Sequence, residues 1–344
     1  MENKMSAVVL EGFSVQRTWA LDVVNDFFIA GASFGAFLCA SLYLVFGLKN
    51  YKNIALFSMI ISFVCLCAIP FNLIDDLKQP SRVFEIFLNG WGNLPTSAMK
   101  IGIILLITYP ILLILLAYKH INNKNTKKLG IITLIVSFCI PLYTGYILET
   151  SVGVSFWNTP VLPLLFAANG GVGGVGICAL VLFIYSKIIN YKINLFIFIR
   201  LASALIVCDL LLRLFWFSFM LGFNKEIKEL YQYVFMARFY EIFILEFCLI
   251  FIILINLFTR LKNNQFFLLL AFLSMIIYSF SFKFNVVFAG NSMPKIMSGF
   301  LTYTPKILGS DGLGSVFGNW LICISLFCLL ISILEKQIKG ELSE

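Results

Sequence analysis

The sequence predicts an all-α integral membrane protein, and three observations carry that prediction. Hydrophobic residues make up 60% of the 344 positions and charged residues only 12%, about half the share found in soluble domains. Apolar stretches long enough to cross a hydrocarbon core recur about nine times, at residues 21–48, 54–74, 97–119, 129–149, 160–187, 194–222, 234–259, 265–289 and 315–335. The net charge of +8 is distributed as membrane topology requires. Lys49, Lys52, Lys119, Lys124, Lys127, Lys128, Lys187, Lys192, Arg260, Lys262, Lys336 and Lys339 all fall on one side if the spans alternate. Short basic connections are cytoplasmic by the positive-inside rule, so the expected topology is multi-pass, with the N-terminus outside and the C-terminus inside. Cations distributed in this way indicate membrane lipid and not nucleic acid as the surrounding partner.

The segment before the first span mixes Glu2, Lys4, Glu11 and Arg17 and has no basic n-region followed by a cleavage site, so no removable signal peptide is expected. The first span then places Asp22, Asn25 and Asp26 three and four residues apart, on one face within a turn of the outer surface. That pattern suits either a solvated helix end or a polar lining for a bound head-group. Gly31 and Gly35 form a G-x-x-x-G pair that lets a neighbouring helix approach closely.

The second span runs into Asp75, Asp76, Lys78, Pro80 and Arg82. Charge at a membrane helix end requires partners or a task, and Pro80 and Pro95 keep the linker from continuing either helix. Lys100 enters the third span, where it is expected to snorkel or pair with an acid. In the fourth span Pro141 precedes Tyr143, Thr144 and Gly145, and Glu149 closes the span. A proline there kinks the helix and leaves backbone groups for nearby hydroxyls. Tyr143 and Tyr146 suit either the interfacial aromatic belt or a hydroxyl aimed into the bundle.

The fifth span carries a run of glycines from Gly170 to Gly176. It lacks a preceding strand and a terminal Lys-Ser or Lys-Thr, so helix packing is expected and phosphate binding is not. Asp209 and Arg213 are four apart in the sixth span, and Arg238, Glu241 and Glu246 lie in the seventh. Opposite charges at that spacing neutralise each other in a membrane, and a structural pair and a proton path (Asp209, Arg213, Glu241, Glu246) are both open. A loop of about 25 residues after the eighth span is long for a helix connector and is a candidate docking surface.

The nine cysteines are dispersed among apolar spans, and the sole histidine, His120, sits in a basic connection. Grouped thiolates and facing histidines are what clusters, zinc and bis-histidine haem need, so no metal, iron–sulfur cluster or haem is expected in this chain.

Several motifs in order resemble the NrfD/PsrC family of membrane subunits. Asp76-Leu-Lys-Gln-Pro-Ser-Arg82 is similar to that family's Asp-Leu-Gly-Arg-Pro-x-Arg, with Lys78 and Gln79 in place of Gly-Arg. Tyr143-Thr-Gly145 is followed by Trp157-Asn-Thr-Pro160 and Pro163-Leu-Leu-Phe166, then Asn285-Val-Val287 and Gly290-Asn291. Lys283 stands where the family has an arginine, and the ninth span with its Gly309-Ser-Asp-Gly312 loop resembles tetrathionate-reductase-type relatives.

The resemblance implies two four-helix bundles plus one additional C-terminal helix. Residues 1–150 would form the first bundle, with a quinone pocket, residues 151–292 the second, and residues 293–344 the outer loop and ninth helix. It also implies a subunit of the bacterial cytoplasmic (inner) membrane that oxidises menaquinol near the outer face. Electrons would pass to a ferredoxin-like four-cluster iron–sulfur subunit serving a molybdopterin catalytic subunit. On this reading Asp22, Asp26 and Glu149 are the proton-accepting acids, and Asn25, Tyr143, Asp76 and Arg82 surround the quinone. From another class, a proton-coupled secondary transporter would use Asp209, Arg213, Glu241 and Glu246 as coupling residues and should show internal repeats; no convincing repeat is visible.

Overall fold

A computed structural model describes residues 19–76, 80–89, 91–93, 97–154, 156–189, 195–223, 240–258, 264–292 and 312–338. The side chains of Asp75, Asp76 and Glu241, all of Arg238 and the loop at 293–311 lie outside the described residues. The described chain is helical, with no strand. Its long helices are α1 (Leu21–Leu44), α2 (Lys52–Asp76), α3 (Ala98–Ile121), α4 (Lys127–Glu149), α5 (Leu162–Ile189), α6 (Phe196–Phe223), α7 (Tyr240–Phe258), α8 (Gln265–Asn291) and α9 (Leu313–Ile333). All except α6 and α7 are long and apolar enough, among the described residues, to cross a membrane, which gives seven such spans. α6 carries Arg200, Asp209 and Arg213 within its length, and the apolar stretch of α7 among the described side chains is Ile244–Ile255.

Helix boundaries follow local chemistry. α1 stops where Gly47 adopts φ 71°, a left-handed turn that glycine takes without steric cost. The N–H of Gly47 closes on the Tyr43 carbonyl and that of Leu48 on Leu42, each at 3.0 Å. The Asn264 side chain caps α8 by accepting from the Phe266 N–H at 3.0 Å, which satisfies a donor the helix itself leaves open.

α1 is the central helix: it packs on α2, α4, α5, α8 and α9 and is buried almost all round. Contacts run α1 to α2, α2 to α3, α3 to α4 and α4 to α1; a second circuit runs α5 to α6, α6 to α7, α7 to α8 and α8 to α5. α9 lies against α2, with a smaller contact to α1.

The glycines explain how two such circuits come so close. Gly31 meets the backbone of Gly170, and Gly35 that of Gly171 and Gly174; on the other side of α5, Gly173 faces Ser279 and Gly176 faces Met275. A methyl group at Gly31, Gly35 or Gly174 would collide with backbone, which cannot rotate away. The glycine run of α5 is a packing seam with α1 and α8, as its lack of phosphate-loop features predicts. At the periphery, α3 turns Ile104, Ile107, Ile111 and Ile114 outward, the surface expected of a helix that faces lipid.

Candidate functional site

One end of the molecule gathers buried polar side chains from three helices. Asp22 and Asn25 are 0% exposed and Asp26 is 5% exposed, all in the first two turns of α1. The spacing argument therefore holds, but none of the three is solvated at a helix end. Asn25 donates through Nδ2 to Oδ1 of Asn72 on α2 at 3.2 Å, and its own Oδ1 accepts from the Trp320 indole Nε1 on α9 at 3.0 Å. Trp320 in turn leans on Phe28 with ring centroids 5.9 Å apart. Neither Asn72 nor Trp320 is singled out by the sequence motifs. The one local signal is that Asn72 stands four residues before Asp76, the spacing at which two side chains share a helix face.

Tyr143 approaches the same region from α4. Its phenol end lies over Gly102 of α3, where a Cβ would fall within the ring. It lies within electrostatic reach of Asp26. The aromatic-belt alternative thus belongs to Tyr146, which is 39% exposed; Tyr143 is half-buried and directed between helices. Two residues beyond it, Gly145 touches the backbone of Leu162 and Pro163 at the start of α5, so the Tyr-Thr-Gly sequence places a phenol and a close helix contact within one turn. Thr144 Oγ1 donates to the Pro141 carbonyl at 2.8 Å, which puts a hydroxyl on the backbone beside the proline. Glu149 closes α4 half-buried.

The polar linker is arranged differently. Arg82 lies on the surface in a two-pronged pair with Glu85, Nε to Oε1 and Nη2 to Oε2, each at 2.8 Å. Hydrogen bonding from Arg82 holds the Glu85 carboxyl below its ordinary value, and the same pair raises that of the guanidinium. Lys100 is buried at 6% exposure, with its ammonium donating to the carbonyls of Ile86 and Asn89 and standing 4.6 Å from the Trp91 ring centroid. It ties the linker down through backbone oxygens, an outcome the expectation of snorkelling or acid pairing did not contain. The Asp76 side chain, expected at the same mouth, falls outside the described residues.

The motifs at 157–160 and 290–291 form a clamp. The Trp157 ring lies on Gly290, where a side chain would collide with it, and its Nε1 donates to the Val286 carbonyl at 2.8 Å. Asn291 Nδ2 donates to the Trp19 carbonyl at 2.7 Å, and Trp19 stacks on Trp157 at 5.1 Å. The clamp joins the entry to α1, the connection before α5 and the end of α8.

A second polar group occupies the other circuit. Arg213 on α6 binds Asp209 through Nε at 2.9 Å and Glu246 on α7 through Nη1 at 2.6 Å. Asn285 on α8 donates to Glu246 at 2.9 Å, and the Tyr278 hydroxyl donates to Asp209. Lys283, fully buried, donates to Asn169 Oδ1 at 3.0 Å and sits 5.4 Å from the Phe166 ring centroid. The Arg213 guanidinium also lies 4.3 Å from the Phe282 ring centroid, a cation–π contact that strengthens when desolvated. Of the residues expected there, Asp209, Arg213 and Glu246 come together. Glu241 falls on α7 with its side chain outside the described residues; Tyr278 and Asn285 bond into the network, and the sequence assigns no partner to the family-motif positions Lys283 and Asn285. His120, expected in a connection, is in the last turn of α3 and buried against Tyr43 at 5.5 Å.

A multi-pass helical membrane protein with acids and amides buried at one end and a charge network in its second half is the class that this fold and these sites define. Within that class the chain belongs to the NrfD family: the family model described as polysulphide reductase, NrfD, matches residues 11–295. The C subunit of the polysulfide reductase of Wolinella succinogenes is 26% identical over 181 residues, which cover 46% of this chain and 56% of that protein. The match therefore spans little more than half the length of that curated relative. α9 begins beyond the residues that the family model matches.

Proposed function

We propose that this protein is the membrane subunit of a respiratory reductase complex and oxidises menaquinol at the Asp22 end. The observation that carries the reading is the burial of Asp22 and Asp26 beside Tyr143 and the amides of Asn25 and Asn72. Oxidising a quinol to a quinone releases two protons and two electrons. Carboxylates within reach of the quinol hydroxyls act as general bases for the protons, with Asp22 and Asp26 first and Glu149 next, while Tyr143 and Asn25 orient the ring oxygens. Asp76 and Arg82 brace the mouth. The electrons pass to a ferredoxin-like four-cluster iron–sulfur subunit docked outside, which serves a molybdopterin catalytic subunit. The chain itself holds no redox centre on this reading, and menaquinone is its bound substrate.

The same proposal sets the protein in the bacterial cytoplasmic membrane, with the N-terminus and the Asp22 end outside and the C-terminus inside. Nine spans would form two four-helix bundles, residues 1–150 and 151–292, followed by the loop and ninth helix of residues 293–344. The name of the Wolinella succinogenes relative supports assembly with other reductase subunits; the catalytic partner would choose the terminal acceptor. A second reading, a proton-coupled secondary transporter, draws on the buried Asp209–Arg213–Glu246 network.

The test is quinol-driven reduction of the iron–sulfur subunit by the purified complex. Tyr143→Phe and Asp26→Asn are expected to slow turnover by about 100-fold while the complex stays assembled. Wild-type turnover in both variants would remove these residues from the site. Purification without an iron–sulfur subunit, together with proton-linked solute uptake in liposomes, would replace the reading with the transporter.

A further inference from the structure

Asn72 is 2% exposed, and among the described residues its Nδ2 has no hydrogen-bond partner. A buried donor left in that state is costly unless a ligand or water meets it. Its orientation is fixed by a chain of two earlier bonds. The Trp320 indole N–H can only donate, so the Asn25 atom facing it at 3.0 Å must be Oδ1. Asn25 is thereby turned to offer Nδ2 to Asn72, so the Asn72 atom at 3.2 Å must be its oxygen. Reversing either amide would set donor against donor. Trp320 thus dictates, through two amides, that Asn72 presents an N–H pair and not a carbonyl.

We propose that Asn72 is a ligand-contact residue that donates to a ring oxygen of the quinone, and that Trp320 is a positioning residue acting on it through Asn25. The inference rests on the quinol reading above and adds a donor from α2, together with a role for the helix that lies outside the family-matched residues. It also identifies the ligand chemistry: an acceptor oxygen such as a quinone carbonyl, not a donor group. Nδ2 is shielded as the helices stand, so the quinone reaches it by parting α2 from its neighbours. Pro70, two residues earlier in the same helix, removes a backbone hydrogen bond at the place where α2 must yield.

The test uses menaquinone-4, labelled with carbon-13 at its carbonyls, bound to the purified full chain and read by infrared difference spectroscopy and a binding titration. In the wild type one carbonyl band lies below that of the free quinone. Asn72→Leu moves the band upward and weakens binding about fivefold to tenfold, the loss expected for one hydrogen bond. Trp320→Phe, which keeps the ring on Phe28 but removes the N–H, moves the band in the same direction by less. Added to Asn72→Leu, it moves the band no further. Should Asn72→Leu fail to accumulate, Asn72→Ala removes the donor without adding bulk and reads the same bond. An unchanged band and affinity in the Asn72 variants would overturn this assignment while leaving quinone binding intact. Failure of menaquinone-4 to bind the wild type would overturn the quinol reading and this inference together.

Discussion

The two polar groups solve the burial of charge in opposite ways. In the α6–α8 group each charge meets a counter-charge or a matched dipole: Arg213 holds Asp209 and Glu246, Asn285 supports Glu246, and Tyr278 supports Asp209. In the group at the start of α1, carboxylates share the site with amides and a phenol, and the chain of hydrogen bonds ends at an Asn72 donor that no described residue meets. The first arrangement pairs its charges and holds three helices together, although Asp209 Oδ1, Arg213 Nη2 and Asn285 Oδ1 meet no hydrogen-bond partner among the described residues. The second ends on an amide donor whose orientation two hydrogen bonds fix, which suits a site for a polar ligand. Buried charge in a membrane protein is therefore a poor guide to function until its partners are counted.

The comparison breaks most visibly at Arg213. Arg213→Met leaves Asp209 and Glu246 buried without their cation, and the expected loss is about 3–5 kcal/mol, read as a lowered unfolding temperature in detergent. Neutralising all three with Asp209→Asn and Glu246→Gln added should restore much of that loss, because no unpaired charge then remains. If Arg213→Met instead abolished quinol oxidation at unchanged stability, the network would be part of the reaction and the contrast would fail.

A smaller effect sharpens the other half. Gly102→Ala drives a methyl group into the Tyr143 ring, and displacing a positioned group by about an ångström costs up to roughly 100-fold in rate. Turnover should therefore fall strongly, while overpacking lowers stability by only about 1–3 kcal/mol. Turnover at the wild-type level would mean that the position of the phenol does not matter.

The smallest effect belongs to the surface. The folded Glu85 carboxyl titrates below its unfolded value of about 4.3, so the contribution of its pair with Arg82 is present above that pH and is lost as pH falls through the lower folded value. The pair faces solvent and is screened. Glu85→Gln should accordingly shift the unfolding temperature by less than about 2 °C at neutral pH, and a larger shift would show that the linker bears on the helices beneath it.

Local features of these sites were legible in the sequence, and distant ones were not. Helical spacing brought Asp22, Asn25 and Asp26 to one face and paired Asp209 with Arg213, because three- and four-residue offsets fix neighbours on any helix. The glycines of α1 and α5 announced a close crossing without saying that they meet each other. Asn72 and Trp320 were invisible because their bonds to Asn25 span 47 and 295 residues, and no periodicity reports contacts of that length. Trp157, Gly290 and Asn291 were recognised as a family pattern, but their role as a clamp emerged only once the ring was seen seated on the glycine. Lys100 was read as a charge seeking an acid, yet the linker carbonyls of Ile86 and Asn89 lay nearer than any helix pattern indicates.

The long reach of the clamp and of Trp320 has a consequence for biosynthesis. The ribosome delivers α1 well before α9, yet the bond that sets the Asn25 amide comes from α9, and the bond that pins the Trp19 carbonyl comes from Asn291. A nascent chain thus carries its acids into the membrane long before the groups that order them exist. Translation that stops ahead of residue 313 yields a protein with both circuits of helices and an unfinished Asn25 amide, so a helix made late completes what one made early began.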